Sequence, residues 1–248
     1  MKKIVFLAAA ACLALVAQGQ TALRLMSYNV RNARGMDNVR NVERTADVIR
    51  LERPDVVAVQ EVDSMTRRSG GRYVLGEIAE ATGMNATFAA AIDFDGGKYG
   101  IGLLSKSTPL RVSRFALLGR EERRALLVAE FDDYVYCCAH LSLTAEDRLK
   151  SMEIIRQATA DYDKPVFLAG DFNAEPESEF IAALQNDFTL LCVPDAATFP
   201  ADDPKRKLDY IAVRKPKGEG CVVTEAKVVG GTQASDHLPI VVDVQLGL

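Results

Sequence analysis

The sequence predicts a mixed α/β domain in which two sheets pack together with helices outside. Three observations carry this. Short apolar runs of strand type recur along the chain, and segments of helical period are interspersed with them. In mid-chain several strand-type runs follow one another with no helix between, which suits two sheets and not a regular parallel winding.

The elements follow in order. "TALRLMSYNV" reads as a first strand ending near Val30. Val39, Val42, Ala46 and Ile49 share one helical face, and that helix stops before Pro54. "DVVAVQE" is a short buried strand that ends in a charge, and a second helix runs from Tyr73 to Thr82 and stops at Gly83. Strands are expected at Thr87–Ala91, Gly100–Ser105, Val112–Leu117, Ala125–Phe131 and Tyr134–Ala139. Thr144 and Asp147 have the spacing of a capping box, opening a helix with Leu149, Met152, Ile155 and Ala158 on one face. "KPVFLAG" is the next strand, and Gly170 leaves room for the turn after it. A helix at Glu179–Asn186 and strands at Asp209–Val213, Val222–Val229 and Pro239–Val244 complete the chain.

Composition bounds the function. The 248 residues are 48% hydrophobic and 26% charged, an ordinary globular mix with mass for a sizeable core. Lys2 and Lys3 followed by the apolar run Ile4–Ala17 read as a signal peptide over residues 1–19, with cleavage near Gly19–Gln20. The run is short for a membrane span, so the expected mature protein is a single domain over residues 20–248, periplasmic or secreted and monomeric. Losing two lysines takes the formal charge from −4 to −6. An acidic body lacks a global field for nucleic acid, and the chain has no Trp and no long basic stripe. An anionic substrate must therefore be held by local positive groups or a metal. Cys137 and Cys138 are strand neighbours pointing to opposite faces. Cys192 and Cys221 can pair in an oxidising compartment, although burial as small hydrophobes is the simpler expectation. No Cys/His zinc spacing, G-x-S-x-G, H-E-x-x-H or P-loop is present.

The polar residues that end strands carry the chemistry. Asn29 ends the first strand and Glu61 the second. His140 ends "CCAH", and Asp171 and Asn173 follow "VFLAG". Asp209 opens "DYIAV", and Asp236 and His237 precede the last strand. Singly, each has a structural explanation as a turn residue, a cap or a core histidine. Both histidines of the chain, however, sit at such positions, and strand ends are where a rigid scaffold converges polar groups into one cleft.

Asn29, Glu61, the "ERRALL" arginines, "AHL", "GDFN", "LDYI" and "SDHLP", in that order, resemble the motif set of the endonuclease/exonuclease/phosphatase superfamily. The resemblance spans nearly all of the expected mature chain. It implies a four-layered α/β (α+β) sandwich, two mixed and mostly antiparallel sheets packed face to face with helices outside. It also implies a divalent-metal-dependent hydrolase of phosphate esters, a phosphodiesterase or phosphatase, using an Asp-activated water. Hard oxygen donors suit Mg²⁺ or Mn²⁺. The metal would be held by Glu61 with Asn29 and Asp236, directly or through water. Asp171 would orient or deprotonate the attacking water, and Asn173 would hold that water or a phosphate oxygen. Asp209 would pair with His237, which contacts phosphate or shuttles a proton. His140 would bind a non-bridging oxygen, and Arg124, with Arg123 as the alternative, would bind phosphate.

Within the superfamily, His140 and Arg31 point away from the abasic-site repair branch. They point toward the branch of sphingomyelinases, inositol phosphatases, deadenylases and secreted nucleases. Lys205, Arg206 and Lys207 are either substrate contacts or a solvated loop. Ile101 stands where a common family form has Asn. The favoured substrate is a small molecule or a lipid head group. A secreted nuclease on DNA or RNA and a lipid-remodelling-like phosphodiesterase are the alternatives, and an inactive binding protein of the same fold is the rival from another class.

Overall fold

The computed structural model describes residues 21–215 and 220–247. The expected signal peptide lies outside the described residues. No helix among the described residues is long and apolar enough to cross a membrane.

The two expected sheets are present, each of six strands. The first uses β1 (Ala22–Asn29), β2 (Val56–Ser64), β3 (Asn85–Phe94), β4 (Gly97–Ser105), β11 (Cys221–Val228) and β12 (Ile240–Leu246), in the order β11-β12-β1-β2-β4-β3. The second uses β5 (Arg111–Leu117), β6 (Arg124–Glu130), β7 (Val135–His140), β8 (Val166–Asp171), β9 (Phe188–Leu190) and β10 (Asp209–Arg214), in the order β5-β6-β7-β8-β10-β9. Both sheets are mostly antiparallel, and each has one parallel pair near its centre: β1 with β2, and β7 with β8. A parallel pair needs a crossover, and the helices α1 (Val42–Glu52) and α3 (Ala145–Thr159) lie in those two connections. The helices α2 (Val74–Thr82) and α4 (Glu179–Asp187) complete the set.

Strand alternation sorts the core into layers. Met26, Tyr28, Val57 and Val59 pack with Val48, Ile49, Val74, Leu75 and Ile78 of α1 and α2. Leu25, Val56 and Ala58, with the opposite parity, pack with Leu126, Val128 and Cys138 of the second sheet. Asn29 shares the parity of Leu25, so it faces the space between the sheets.

Several boundaries depart from expectation. Val39 is 56% exposed and precedes the helix, because Asn41 caps it by accepting from Arg44 N. The capping box does not form. Thr144 makes no side-chain cap bond; its Oγ1 donates to Glu121 Oε2 at 3.4 Å, and Asp147 accepts from Arg120 N at 2.9 Å. Both side chains hold the β5–β6 loop instead. The strand β9 was not expected; three residues carry too short a pattern. Gly170 lies inside β8 rather than at a turn. At φ +154, a Cβ there would sit 1.8 Å from Ala139 O, so glycine permits the close approach of β7. All four cysteines among the described residues are unpaired. Burial pushes the Cys138 thiol up to about 12, so it is an inert core group.

Candidate active site

The two central parallel pairs end at the same edge of the sandwich. In the first sheet the last rung is Asn29 with Gln60; in the second it is His140 with Asp171. Strand β10 begins at that edge with Asp209 opposite Asp171. The connection into β12 brings Ser235–His237 there, since Ser235 Oγ donates to Asn29 O at 2.7 Å.

Regular alternation would turn Glu61 toward the helices. A β-bulge prevents this. The register against β4 shifts between Val59 and Val62, and Glu61 takes φ +59. The carboxylate is re-aimed onto Asn29, whose Nδ2 donates to Glu61 Oε1 at 3.0 Å and to Asp171 Oδ2 at 3.1 Å. One amide thus joins the two sheets, while its Oδ1 accepts from Arg31 N at 3.1 Å. Ile101 faces the bulge from β4 and is core, 1% exposed.

The "GDFN" turn is anchored by its phenylalanine. Phe172 stacks on Tyr210 at 5.3 Å between centroids and meets Phe180 edge-on. With that ring fixed, Asp171 is turned toward the two imidazoles and Asn173 follows beside it. Asn173 N donates to Asp171 Oδ1 at 2.9 Å, Asn173 Nδ2 donates to Leu141 O at 3.0 Å, and Asn173 has φ +49. Asn tolerates this left-handed backbone better than most residues.

Asp171 Oδ2 lies 3.6 Å from His140 Nε2 and 3.7 Å from His237 Nε2. Burial, then the Asp209 carboxylate, raise the Asp171 carboxyl well above its usual range. Burial also pulls on His237, but Asp209, 2.9 Å from Nδ1, more than offsets it, with Asp171 and Asp236 adding to the effect. The net result lifts the imidazole to about 10, so it is held protonated. His140 goes the other way: burial and then Arg124 push it well below the usual imidazole range.

Arg124 is buried with Nη1 3.2 Å from the His140 ring nitrogens, whereas Arg123 is exposed. That resolves the choice between neighbours by position: Arg124 is the one at the cleft. Asp236 lies beside the cluster; its Oδ2 is 3.2 Å from Arg31 Nε. Lys205 and Arg206 pair with Asp203 and Glu175, and Lys207 is buried against Val193 O, so these basics are occupied locally.

Two supporting residues were not anticipated. Glu121 accepts from Arg124 Nη2 at 3.2 Å, Leu143 N at 2.8 Å and Ser142 Oγ at 3.0 Å. These bonds outweigh the cost of partial burial and hold its carboxyl down at about 2. Thr198 is fully buried; its Oγ1 donates to Asp209 Oδ2 at 2.6 Å, and Phe199 packs on the His237 ring at 4.8 Å. The signal for both was proximity in sequence to the arginine and "LDY" motifs, but only pairing across loops gives them meaning. Thr198→Val should cost about 1–3 kcal/mol, because the buried Asp209 already has an unpartnered Oδ1 and would lose a second bond. Urea unfolding measures this; a variant with the parent's midpoint would show that Thr198 does not hold Asp209.

The donor set suits a hard cation. Glu61 has no Lys or Arg within ion-pair distance among the described residues and accepts one hydrogen bond. Asp171, Asp209 and His237 each offer a ligand atom within 4.8 Å of one another. Apart from the two imidazoles the donors at the site are oxygen, and none is sulfur.

The profile of the endonuclease/exonuclease/phosphatase family matches residues 26–237. A Bacteroides thetaiotaomicron protein of that family superposes with a TM-score of 0.77 at 16% identity, covering 93% of this chain and 100% of its own. The mannosyl-6-phosphatase of the same organism gives a TM-score of 0.72 at 16% identity, covering 91% and 100%. The catalytic domain of human Nocturnin, with a bound sulfate anion, gives 0.69 at 17% identity, covering 91% and 94%. These structures share the fold of this chain.

Proposed function

This chain belongs to the endonuclease/exonuclease/phosphatase family, and from that membership and the site geometry we propose that it is an exported, divalent-metal-dependent hydrolase of phosphate esters. One observation supports the reading most. Glu61 and Asp171, from different sheets, are tied to one amide of Asn29, and neither carboxylate has a Lys or Arg partner among the described residues. Asp171 is buried with only the His237 imidazolium at 3.7 Å to balance it, and half-buried Glu61 has no cation beside it; carboxylates so placed are costly unless they have work to do.

Mg²⁺ or Mn²⁺ held by Glu61, with Asn29 and Asp236 beside it, would neutralise charge on the phosphate. The protein groups do the rest. Arg124 and neutral His140 hold a non-bridging oxygen, and Asn173 turns a second oxygen or the water. Asp171 aligns the attacking water and takes its proton as the new P–O bond forms. His237, kept protonated by Asp209, gives a proton to the leaving oxygen as the ester P–O bond breaks. The substrate favoured is a small phosphate ester or lipid head group. Export rests on the lysine-led apolar start of the chain.

Purified protein should hydrolyse bis-p-nitrophenyl phosphate with Mg²⁺ or Mn²⁺, and EDTA should abolish the activity. Turnover indifferent to EDTA would eliminate the metal-dependent mechanism.

A further inference from the structure

Four arginines near the site have no part in this chemistry. Arg34, Arg40, Arg68 and Arg72 come from the two loops that leave the carboxyl ends of β1 and β2, the ends that carry Asn29 and Glu61. Arg34 and Arg40 face each other in a short antiparallel bridge. Arg40 Nη1 donates to Arg68 O at 2.6 Å, which joins the two loops. Arg68 grips Asp63, two residues beyond Glu61, with Nε and Nη2 each at 2.7 Å. Arg72 pairs with Glu77.

Charge is out of balance here. Within ion-pair distance these four guanidinium groups have two carboxylates, Asp63 and Glu77, and Glu61 acts on Arg68 only from further away. Arg40 reaches Asp63 only at 3.9 Å, and its Nη2 has no hydrogen-bond partner. Arg34 is exposed and has no ion-pair partner among the described residues. Burial, with Arg34, Arg68 and Arg72 adding to it against the pull of Asp63, holds the Arg40 guanidinium below its usual range. Like charges gathered at one place repel one another unless an anion is shared among them. Planar guanidinium forks match phosphate oxygens two at a time.

We propose that this arginine cluster is a second anion subsite at the rim of the cleft, and that the natural substrate carries a second phosphoryl group besides the ester that is cleaved. The identity of the first site rests on the hydrolase reading above; the existence of the second does not. Arg34 and Arg72, exposed and not tied to Asp63, make first contact with the second phosphate, and Arg40 and Arg68, both drawn to Asp63, set the positive field behind them.

Two measurements separate this inference from the reading it builds on. The first compares kcat/KM for thymidine 5′-(p-nitrophenyl phosphate) with that for the same ester bearing a 3′-phosphate. The parent should prefer the second by about tenfold, the worth of a few exposed ion pairs, and the preference should shrink with salt. In Arg34→Glu/Arg72→Glu the ratio should fall to about one. Equal rates in the parent, or a ratio that survives the double variant, would overturn the subsite.

The second is calorimetry on the full chain with thymidine 3′,5′-bisphosphate and with inositol 1,4-bisphosphate, each against its monophosphate. Tighter binding of either bisphosphate, lost in the double variant, supports the subsite even if no ester is hydrolysed; a gain with only one shows that the sugar is read as well. No gain with either overturns it.

Discussion

Asp171→Asn should lower kcat by ~10²–10⁴ without unfolding the protein, because a group that aligns and deprotonates the nucleophile contributes that much. The substitution is nearly isosteric. Its carbonyl can keep the bond from Asn173 N; only the bond from Asn29 Nδ2 is given up, because that amide stays oriented by Glu61 and Arg31 N. What is lost is the capacity to take a proton at the point facing both imidazoles. Relief from the Asp209 carboxylate offsets the weaker attraction to His237, so the melting temperature should stay near the parent's. Stopped assays on bis-p-nitrophenyl phosphate, with circular dichroism as the control for folding, give both readouts. A folded variant within about tenfold of the parent's turnover would remove Asp171 from the proton path.

Gly170→Ala should destabilise the fold by about 3 kcal/mol, the upper end of overpacking costs. The added Cβ would lie 1.8 Å from Ala139 O and 2.9 Å from the carbonyl carbon, and a backbone cannot swing away as a flexible side chain can. Moving β7 off β8 relieves the clash, but the next rung is His140 with Asp171. Activity should therefore fall together with the urea midpoint. A variant matching the parent in both would mean that the two strands tolerate separation and that glycine is incidental here.

Much of the fold was legible because burial writes itself into local pattern. Runs such as "VVAVQ" and "VFLAG" are apolar on both faces, and the structure buries each between helices and a second sheet. Legibility failed where local rules lost to partners far away. Thr144 and Asp147 have capping-box spacing, yet Glu121 and the Arg120 amide take them. Val39 fits the helical period, yet Asn41 starts the helix after it.

The site divides along the same line. Which residue types sit at strand ends is a property of the chain: Asn29, Glu61, His140, Asp171, Asn173, Asp209 and His237 could be named before any fold was known. Their mutual distances could not. Glu61 reaches Asn29 only because a bulge reverses its facing, and Thr198 matters only because a loop lays its hydroxyl on Asp209. The arginines at 34, 40, 68 and 72 form no run in the sequence, and two loops at one sheet edge gather them. Residue type and local period are set by covalent order, so the chain alone determined most of the strands and helices and the inventory of donors. Facing, register and charge density depend on contacts between segments far apart in sequence, and those exist only once the two sheets have closed on each other.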